Sequence, residues 1–259
     1  MTESTAILLR VVMAFALAVG GGVLSAAAKP SHKRLCALIS LAAGTLLGVT
    51  LFAIFPESWE STQWWELLLA LASGYLVFLL VSKYVHHVCP ACAASHFDEE
   101  TTHRFSEIAT ALIVALAIHS TTDGIALAAG HEAHGADLHA QQVLDWSLLL
   151  AICVHKIPEG LALGALLLGA GMKRGAAVGW VAVVESTTVF GGVLGVFLLH
   201  DISALWLGLI LAHVGGGFLY LAAHAVLGEM LKHSKALVLV NFFMGIALIA
   251  GLNLVLRFL

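Results

Sequence analysis

Charged residues are scarce in this chain of 259 residues. Lys and Arg together number 12 and Asp and Glu 16, so only 11% of the residues are charged, whereas soluble proteins carry about 25%. Apolar residues make up 60% of the chain, and the mean hydropathy is +0.98. The few basic residues and the formal net charge of −4 argue against a nucleic-acid-binding surface. The composition excludes an ordinary soluble domain and indicates a membrane protein.

Cysteine is also rare, with four residues in the whole chain. Cys36 and Cys153 lie inside long apolar runs, where a thiol usually serves as a packing residue. Cys89 and Cys92 lie in a polar loop that we predict below to be cytoplasmic, and thiols stay reduced in that compartment. The sequence therefore does not indicate a fold held together by disulfides.

Long apolar runs fill most of the chain. A membrane-spanning helix needs about 20 apolar residues. The sequence predicts eight such spans, at about residues 6–28, 36–56, 66–86, 106–130, 147–171, 175–199, 203–227 and 236–257. Because the loops between them are short, we expect one all-α polytopic membrane domain over residues 1–259.

Basic residues give the orientation of the spans, since cytoplasmic loops carry an excess of Lys and Arg. If the eight spans alternate in direction, nine basic residues fall on the same side: Lys29, Lys33, Arg34, Lys83, Arg104, Lys173, Arg174, Lys232 and Lys235. We therefore predict that this side is cytoplasmic, that both termini are outside, and that the loop at about 87–105 faces the cytoplasm.

A polar pattern occurs twice in the apolar spans. His119 and Asp123 in the fourth span, and His155 and Glu159 in the fifth, both follow H-x-x-x-(D/E)-G-(I/L)-A-L. Residues four apart share one face of a helix. Ionisable groups inside membrane helices are costly and usually mark a pathway or a site. Pro158 lies within the second pattern, where it removes a backbone hydrogen bond, so we expect a bend there.

The two patterns together supply two imidazoles and two carboxylates. This ligand set suits Zn²⁺, Fe²⁺ or Mn²⁺, and four donors complete a tetrahedral site. Two carboxylates also balance the charge of one divalent cation, which matters where net charge is costly to bury. Nearby, Lys156 would neutralise Glu185 of the sixth span. The alternative is an ion-paired core that only holds helices together, but a duplicated pattern favours one metal site between the fourth and fifth spans.

At these residues the chain resembles the ZIP (Zrt-, Irt-like protein) family of divalent-metal transporters. HSTTDG and HKIPEGLALG resemble the paired metal-site motifs of that family. GTLLGVTLFAIFPES in the second span and GGGFLYLAAHAVLGEM in the seventh are similar to two further family stretches. Eight spans, outer termini and a His-bearing loop after the third span also match, so the resemblance covers essentially the full chain.

The resemblance implies that His119, Asp123, His155 and Glu159 are the ligands of the transported metal. It also implies that three residues occupy an adjacent second-metal position: Ser120, Lys156 and Glu185. The family often has Asn or Asp where this chain has Ser and Lys, and this departure favours a single ion. Val49 and Ala53 also depart from a subfamily with Asp and His at those positions, so its selectivity does not transfer.

The predicted cytoplasmic loop holds a second group of metal-ligand residue types. These are His86, His87, Cys89, Cys92 and His96. A single C-x-x-C is half of a zinc site, and the histidines on either side can complete it. The sequence leaves two interpretations open, transient capture of metal and a solvated polar loop.

The sequence thus predicts a transporter that moves divalent transition metals, Zn²⁺ first and otherwise Fe²⁺, Mn²⁺ or Cd²⁺, into the cytoplasm; the resemblance supplies the direction. The metal is the substrate, and neither a cofactor nor an enzymatic activity is expected. Besides the metal, the expected partner is the lipid bilayer, the expected location is a bacterial plasma (inner) membrane, and a homodimer remains open. The alternatives are an intramembrane zinc hydrolase, although the chain lacks H-E-x-x-H, and a metal-sensing receptor.

Overall fold

The computed structural model describes residues 3–27, 32–84, 102–132, 138–169, 171–200, 202–232 and 234–258. Its helices are α1 Glu3–Ala27, α2 His32–Val49, α3 Phe55–Ser61, α4 Trp64–Tyr84, α5 Thr102–Glu132, α6 Leu138–Gly169, α7 Arg174–Leu199, α8 Ala204–Lys232 and α9 Lys235–Phe258. Within these ranges there is no strand. The proposed loop ligands His86, His87, Cys89, Cys92 and His96 lie outside the described residues, so metal capture by that loop stays a prediction.

The all-α polytopic membrane fold is confirmed. In the described part of the chain, seven helical stretches are long and apolar enough to cross a bilayer: Ser4–Ala27, Cys36–Ser61, Trp64–Val81, Gln142–Leu168, Arg174–Leu199, Ala204–Gly228 and Lys235–Leu256. The fourth predicted span is α5, whose 31 residues are also long enough to cross a core of about 30 Å. The protein is therefore an integral membrane protein.

The second span contains a local break in helical geometry. A π-helical turn, Thr50–Ile54, separates α2 from α3. Pro56 follows it and has no N–H to donate to the carbonyl of Phe52, four residues earlier. The side chain of Asn253 in α9 donates to this carbonyl instead, at 3.0 Å, and Ser147 of α6 donates in turn to the Asn253 side-chain oxygen. Side chains of two other helices, α9 and α6, thus satisfy the carbonyl that this break leaves without its helical partner.

The helices pack as two groups. The first group contains α1, α5, α6 and α7, and the second contains the broken second span (α2 to α3), α4, α8 and α9. The two groups meet mainly where α2 and α9 pack against α6. The fifth span, α6, is consequently the element with helices on most sides, and 78% of its apolar window is buried.

Within each group the helices pair through glycines that allow backbones to touch. A Cβ atom at any of eight glycines would overlap a carbonyl oxygen of the facing helix, and the overlaps are reciprocal. The glycines and facing residues are Gly21 with Ile157 and Gly160 with Ala18 (α1 and α6), Gly124 with Thr188 and Gly191 with Thr121 (α5 and α7), Gly44 with Phe242 and Gly245 with Leu41 (α2 and α9), and Gly74 with His213 and Gly216 with Leu71 (α4 and α8). Small residues at such crossings are how helices associate closely in membranes.

This pairing has a regular pattern when it is expressed in spans. The paired spans are the first with the fifth, the fourth with the sixth, the second with the eighth, and the third with the seventh. Consider an exchange of the first span with the sixth, the second with the seventh, the third with the eighth and the fourth with the fifth. This exchange turns each of the four pairs into another of the four. Because odd and even spans run in opposite directions, this is the topology of an inverted repeat, a common plan in transporters.

One end of the first group is closed by a charged cluster. Arg10 of α1 pairs with Asp145 of α6 and lies 3.0 Å from Nδ1 of His131 in α5. The guanidinium also lies 5.8 Å from the ring centroid of Trp146, within range of a cation–π contact. The helix α6 begins at Leu138, before the predicted start at about 147, and these contacts tie it to α1 and α5 at Asp145 and Trp146.

Gly245 and Gly251 of α9 provide a matched test of the backbone packing. Gly245 faces the backbone of α2, whereas a Cβ at Gly251 would have nothing within 4 Å. We expect Gly245→Ala to lower the thermal midpoint of the protein in detergent, because overpacking costs about 1–3 kcal/mol. Gly251→Ala should leave it unchanged or raise it, since Ala is favoured over Gly in helices by about 1 kcal/mol. Equal midpoints for the two variants would contradict the packing described.

Candidate metal site

Two adjacent helices bring the duplicated patterns together. His119 and Asp123 project from α5, and His155 and Glu159 project from α6, which continues through Pro158 without a break in its helical assignment. All four side chains are buried. One ligand atom from each residue can be chosen so that all four atoms lie within 4.8 Å of one another. The i and i+4 spacing predicted from the sequence therefore does produce one cluster.

The distances within the cluster are close to those between the ligands of a tetrahedral ion. Nε2 of His155 lies 3.1 Å from Oδ2 of Asp123 and 3.9 Å from Oε2 of Glu159. Nε2 of His119 lies 3.5 Å from Oδ2 of Asp123 and 3.9 Å from Oε1 of Glu159. Ligands on a tetrahedral Zn²⁺ with bonds of about 2.0–2.1 Å stand about 3.3 Å apart. Small side-chain movements would thus bring the four atoms onto one ion.

The backbone orients the imidazole ring of His155. Its Nδ1 lies 3.0 Å from the carbonyl oxygen of Ala151, one turn earlier, so Nδ1 carries the proton that this contact requires. In the neutral imidazole Nε2 is then an acceptor, and it faces the carboxylate oxygen of Asp123. A cation bound by both Nε2 of His155 and Oδ2 of Asp123 would satisfy these two acceptors. Donation of the second ring N–H to a carbonyl is the usual arrangement of metal-binding histidines.

Two buried carboxylate oxygens add to the capacity of the cluster for a cation. Among the described residues, Oδ1 of Asp123 and Oε1 of Glu185 are buried and have no hydrogen-bond partner. Buried polar atoms in proteins are nearly always paired, and exceptions need an explanation such as an ion. A carboxylate oxygen of Asp123 is thus available for a ligand.

Lys156 places an ammonium group directly against this cluster. Its Nζ lies 2.9 Å from a carboxylate oxygen of each of Asp123, Glu159 and Glu185, and it donates to Oγ of Ser120 at 2.7 Å. The contact with Glu185 predicted from the sequence is confirmed. The contacts with Asp123 and Glu159 were not predicted, because spacing within one helix does not reveal which atoms of neighbouring helices a long side chain reaches.

Two aromatic rings and one carbonyl complete the surroundings, and sequence reasoning missed all three. The ring of Phe78 in α4 lies edge-on to His119 at 5.8 Å, and that of Phe218 in α8 lies 6.2 Å from His155. Nothing in the pattern around Phe78 marked it as a neighbour of the site. The carbonyl of Ala151 could have been found, because it lies four residues before a candidate ligand.

Two cavities lie near the cluster. A cavity of about 80 Å³ reaches His119, His155 and Glu159 and is bounded by α2 and by Leu221 and Ala225 of α8. A larger cleft of about 840 Å³ lies between α4, α5, α7 and α8, and its lining includes none of the four cluster residues. His213 lines this cleft, with Nδ1 2.8 Å from Oγ of Ser73. His213 is therefore not brought into the cluster.

The sequence comparison agrees with the geometry of this cluster. The profile of the ZIP zinc transporter family matches residues 91–253, which is more than half of the chain. The chain belongs to this family. The resemblance seen in the motifs is thereby confirmed.

Three curated relatives are all named zinc transporters. The chain is 29% identical over 216 residues to zinc transporter ZIP13 of Pongo abelii, covering 75% of this chain and 58% of the relative. It is 27% identical over 250 residues to zinc transporter YKE4 of Saccharomyces cerevisiae, with 82% and 69% covered. It is 26% identical over 122 residues to zinc transporter zipt-7.1 of Caenorhabditis briggsae, with 46% and 29% covered. The chain thus spans less than two thirds of the length of two of these relatives.

Membership of the family decides between the function classes that the sequence left open. ZIP proteins are transporters rather than enzymes, so the chain is not expected to be a hydrolase, and no finding supports that alternative. The three relatives come from eukaryotes. The bacterial plasma membrane therefore stays a prediction, as does the homodimer.

Proposed function

We propose that this protein carries divalent transition-metal ions, with Zn²⁺ as the main substrate, through the membrane into the cytoplasm. His119, Asp123, His155 and Glu159 bind the ion in transit. The observation that carries the proposal is the buried cluster of two imidazoles and two carboxylates on adjacent membrane helices, in a chain of a zinc transporter family.

The chemistry of the four ligands supports a transported ion more than a structural one. Structural zinc sites are closed and often contain thiolates, whereas the two described cysteines, Cys36 and Cys153, are outside the cluster. Imidazole and carboxylate ligands suit Zn²⁺ and exchange more readily than a cage of thiolates. A site that binds an ion and then releases it needs such ligands.

The small cavity beside the cluster supports access from the cytoplasm. Its walls include Ile39 to Leu46, from the first half of the second span, and Ala225, from the last part of α8. Both segments lie toward the side on which the basic residues predict the cytoplasm. A volume of about 80 Å³ is enough to hold water, which an ion needs when it leaves its ligands.

Asp123→Asn tests the binding role of the cluster. It keeps the shape of the side chain but removes its charge, so we expect the affinity for Zn²⁺ to fall by about tenfold or more, since loss of partners even outside the ligand sphere typically costs 10–100-fold. Equilibrium dialysis of the detergent-solubilised protein measures this affinity. The neighbouring Thr122→Ala is the control, because Thr122 bonds back to Ile118 in its own helix.

Equal zinc affinities for Asp123→Asn, Thr122→Ala and the parent protein, with all three folded, would exclude Asp123 as a ligand. A large loss in Thr122→Ala would instead indicate that α5 tolerates no change at all.

Glu159→Gln tests transport in liposomes that contain only this protein. We expect saturable Zn²⁺ influx from the parent, and loss of nearly all of it in the variant, because the neutral amide neither balances the charge of the ion nor ligates it as strongly. A fluorescent zinc indicator inside the vesicles reports the influx. Glu60→Gln is the matched control, since Glu60 is exposed at the end of α3.

Absence of influx from folded parent protein that still binds zinc would contradict transport. Competition by Fe²⁺, Mn²⁺ and Cd²⁺ in the same vesicles ranks the substrates, and zinc influx that resists all three would support Zn²⁺ as the main one.

A further inference from the structure

The ammonium group of Lys156 sits in a shell of oxygen atoms that resembles the coordination of a cation. Four oxygens surround Nζ at 2.7–2.9 Å, contributed by Ser120 and Asp123 of α5, Glu159 of α6 and Glu185 of α7. Lys156 is completely buried, as are Ser120, Asp123 and Glu185. An ammonium has three N–H donors for these four acceptors, so the shell is richer in oxygen than the lysine alone requires.

We propose that Lys156 is a tethered cation that limits the central site to one metal ion and weakens the binding of that ion. The proposal rests on the proposed function, since the ion that it concerns is the transported one. Lys156 acts on the metal through the carboxylates and does not ligate it.

The summed charge of the buried residues supports the limit of one metal ion. Lys156 contacts all three carboxylates. When the histidines are neutral and the three carboxylates are ionised, Asp123, Glu159 and Glu185 contribute −3 and Lys156 contributes +1, which leaves −2. One divalent ion brings the sum to zero, and a second would bring it to +2. Uncompensated charge is very costly in a buried site. Without Lys156 the sum would be −3, and the oxygen shell would be open to another cation.

Lys156 affects the affinity of the site for zinc because it contacts two of the carboxylates that belong to the four-residue cluster. Asp123 and Glu159 are in contact with Lys156 and also belong to the four-residue cluster. A charge within about 4–6 Å of a carboxylate changes its affinity for a proton by 1–3 powers of ten. A divalent ion feels the same positive charge at least as strongly. Removing the charge of Lys156 should therefore tighten zinc binding by about tenfold or more.

Weaker binding has a use in a carrier. An ion held by four ligands and −3 of net charge would leave slowly, and slow release limits turnover. The lysine keeps a counter-charge beside the carboxylates at all times, so the ion can depart without exposing the full negative charge of the site.

Lys156→Met tests the proposal by metal counting. Equilibrium dialysis with Zn²⁺ on the purified full chain gives both the number of ions bound and the dissociation constant. We expect a dissociation constant lower by about tenfold or more, or a second bound ion, or both. Lys156→Arg keeps the charge and should bind one ion. Lys173→Met removes an exposed positive charge outside the site and is the matched control.

A double variant that combines Lys156→Met with Glu185→Gln allows the test to be made even if Lys156→Met alone does not fold. If Lys156→Met alone does not fold, the double variant removes both partners of a buried pair, which proteins often tolerate. The double variant should then bind zinc about tenfold or more tightly than Glu185→Gln alone.

Unchanged or weaker zinc binding in folded Lys156→Met, with one ion bound, would overturn the proposal and leave Lys156 as a structural residue. So would equal affinities for the double variant and Glu185→Gln. Zinc influx by the parent protein is measured separately. Its presence together with either result would refute the role of Lys156 while leaving the transport function standing.

Discussion

The burial of three carboxylates beside a single lysine is the interaction on which the structure depends most. Asp123, Glu159 and Glu185 lie inside a bundle of apolar helices, all in contact with Lys156. Charged groups are expensive at this depth unless they are paired. The ammonium removes one unit of the negative charge, and the remaining two units match a divalent ion. Through these contacts Lys156 of α6 also joins α5, which carries Asp123, to α7, which carries Glu185.

Close helix packing makes that balance geometrically attainable. The reciprocal glycine contacts bring α1 against α6 and α5 against α7, so the short side chain of Ser120 on α5 reaches Glu185 on α7. The pairing of spans also explains the duplicated motif. The fourth and fifth spans correspond to each other in the same exchange that relates the other pairs. Each of these two spans therefore supplies one histidine and one carboxylate to the shared cluster.

The sequence was sufficient for the parts of the structure that depend on one segment at a time. Apolar length predicted the spans, and the spacing of His119 with Asp123 and of His155 with Glu159 predicted the cluster. Contacts that depend on the relative rotation of separate helices were not accessible in this way. The reach of Lys156 to Asp123 and the pairing of Asn253 with the Phe52 carbonyl both cross between helices. The pairing of Arg10 with Asp145 likewise joins two residues that are far apart in the chain.

X-ray absorption spectroscopy of the zinc-loaded chain, with the loop substitutions Cys89→Ser and Cys92→Ser, tests the central claim most directly, because it identifies the atoms bound to the metal at the remaining ligands. The account predicts a first shell of nitrogen and oxygen only, at about 2.0–2.2 Å, with the multiple scattering of two imidazoles. Asp123→Asn should change this spectrum. A sulfur shell at about 2.3 Å would show that cysteines bind the zinc, and it would contradict the assignment of the ion to His119, Asp123, His155 and Glu159.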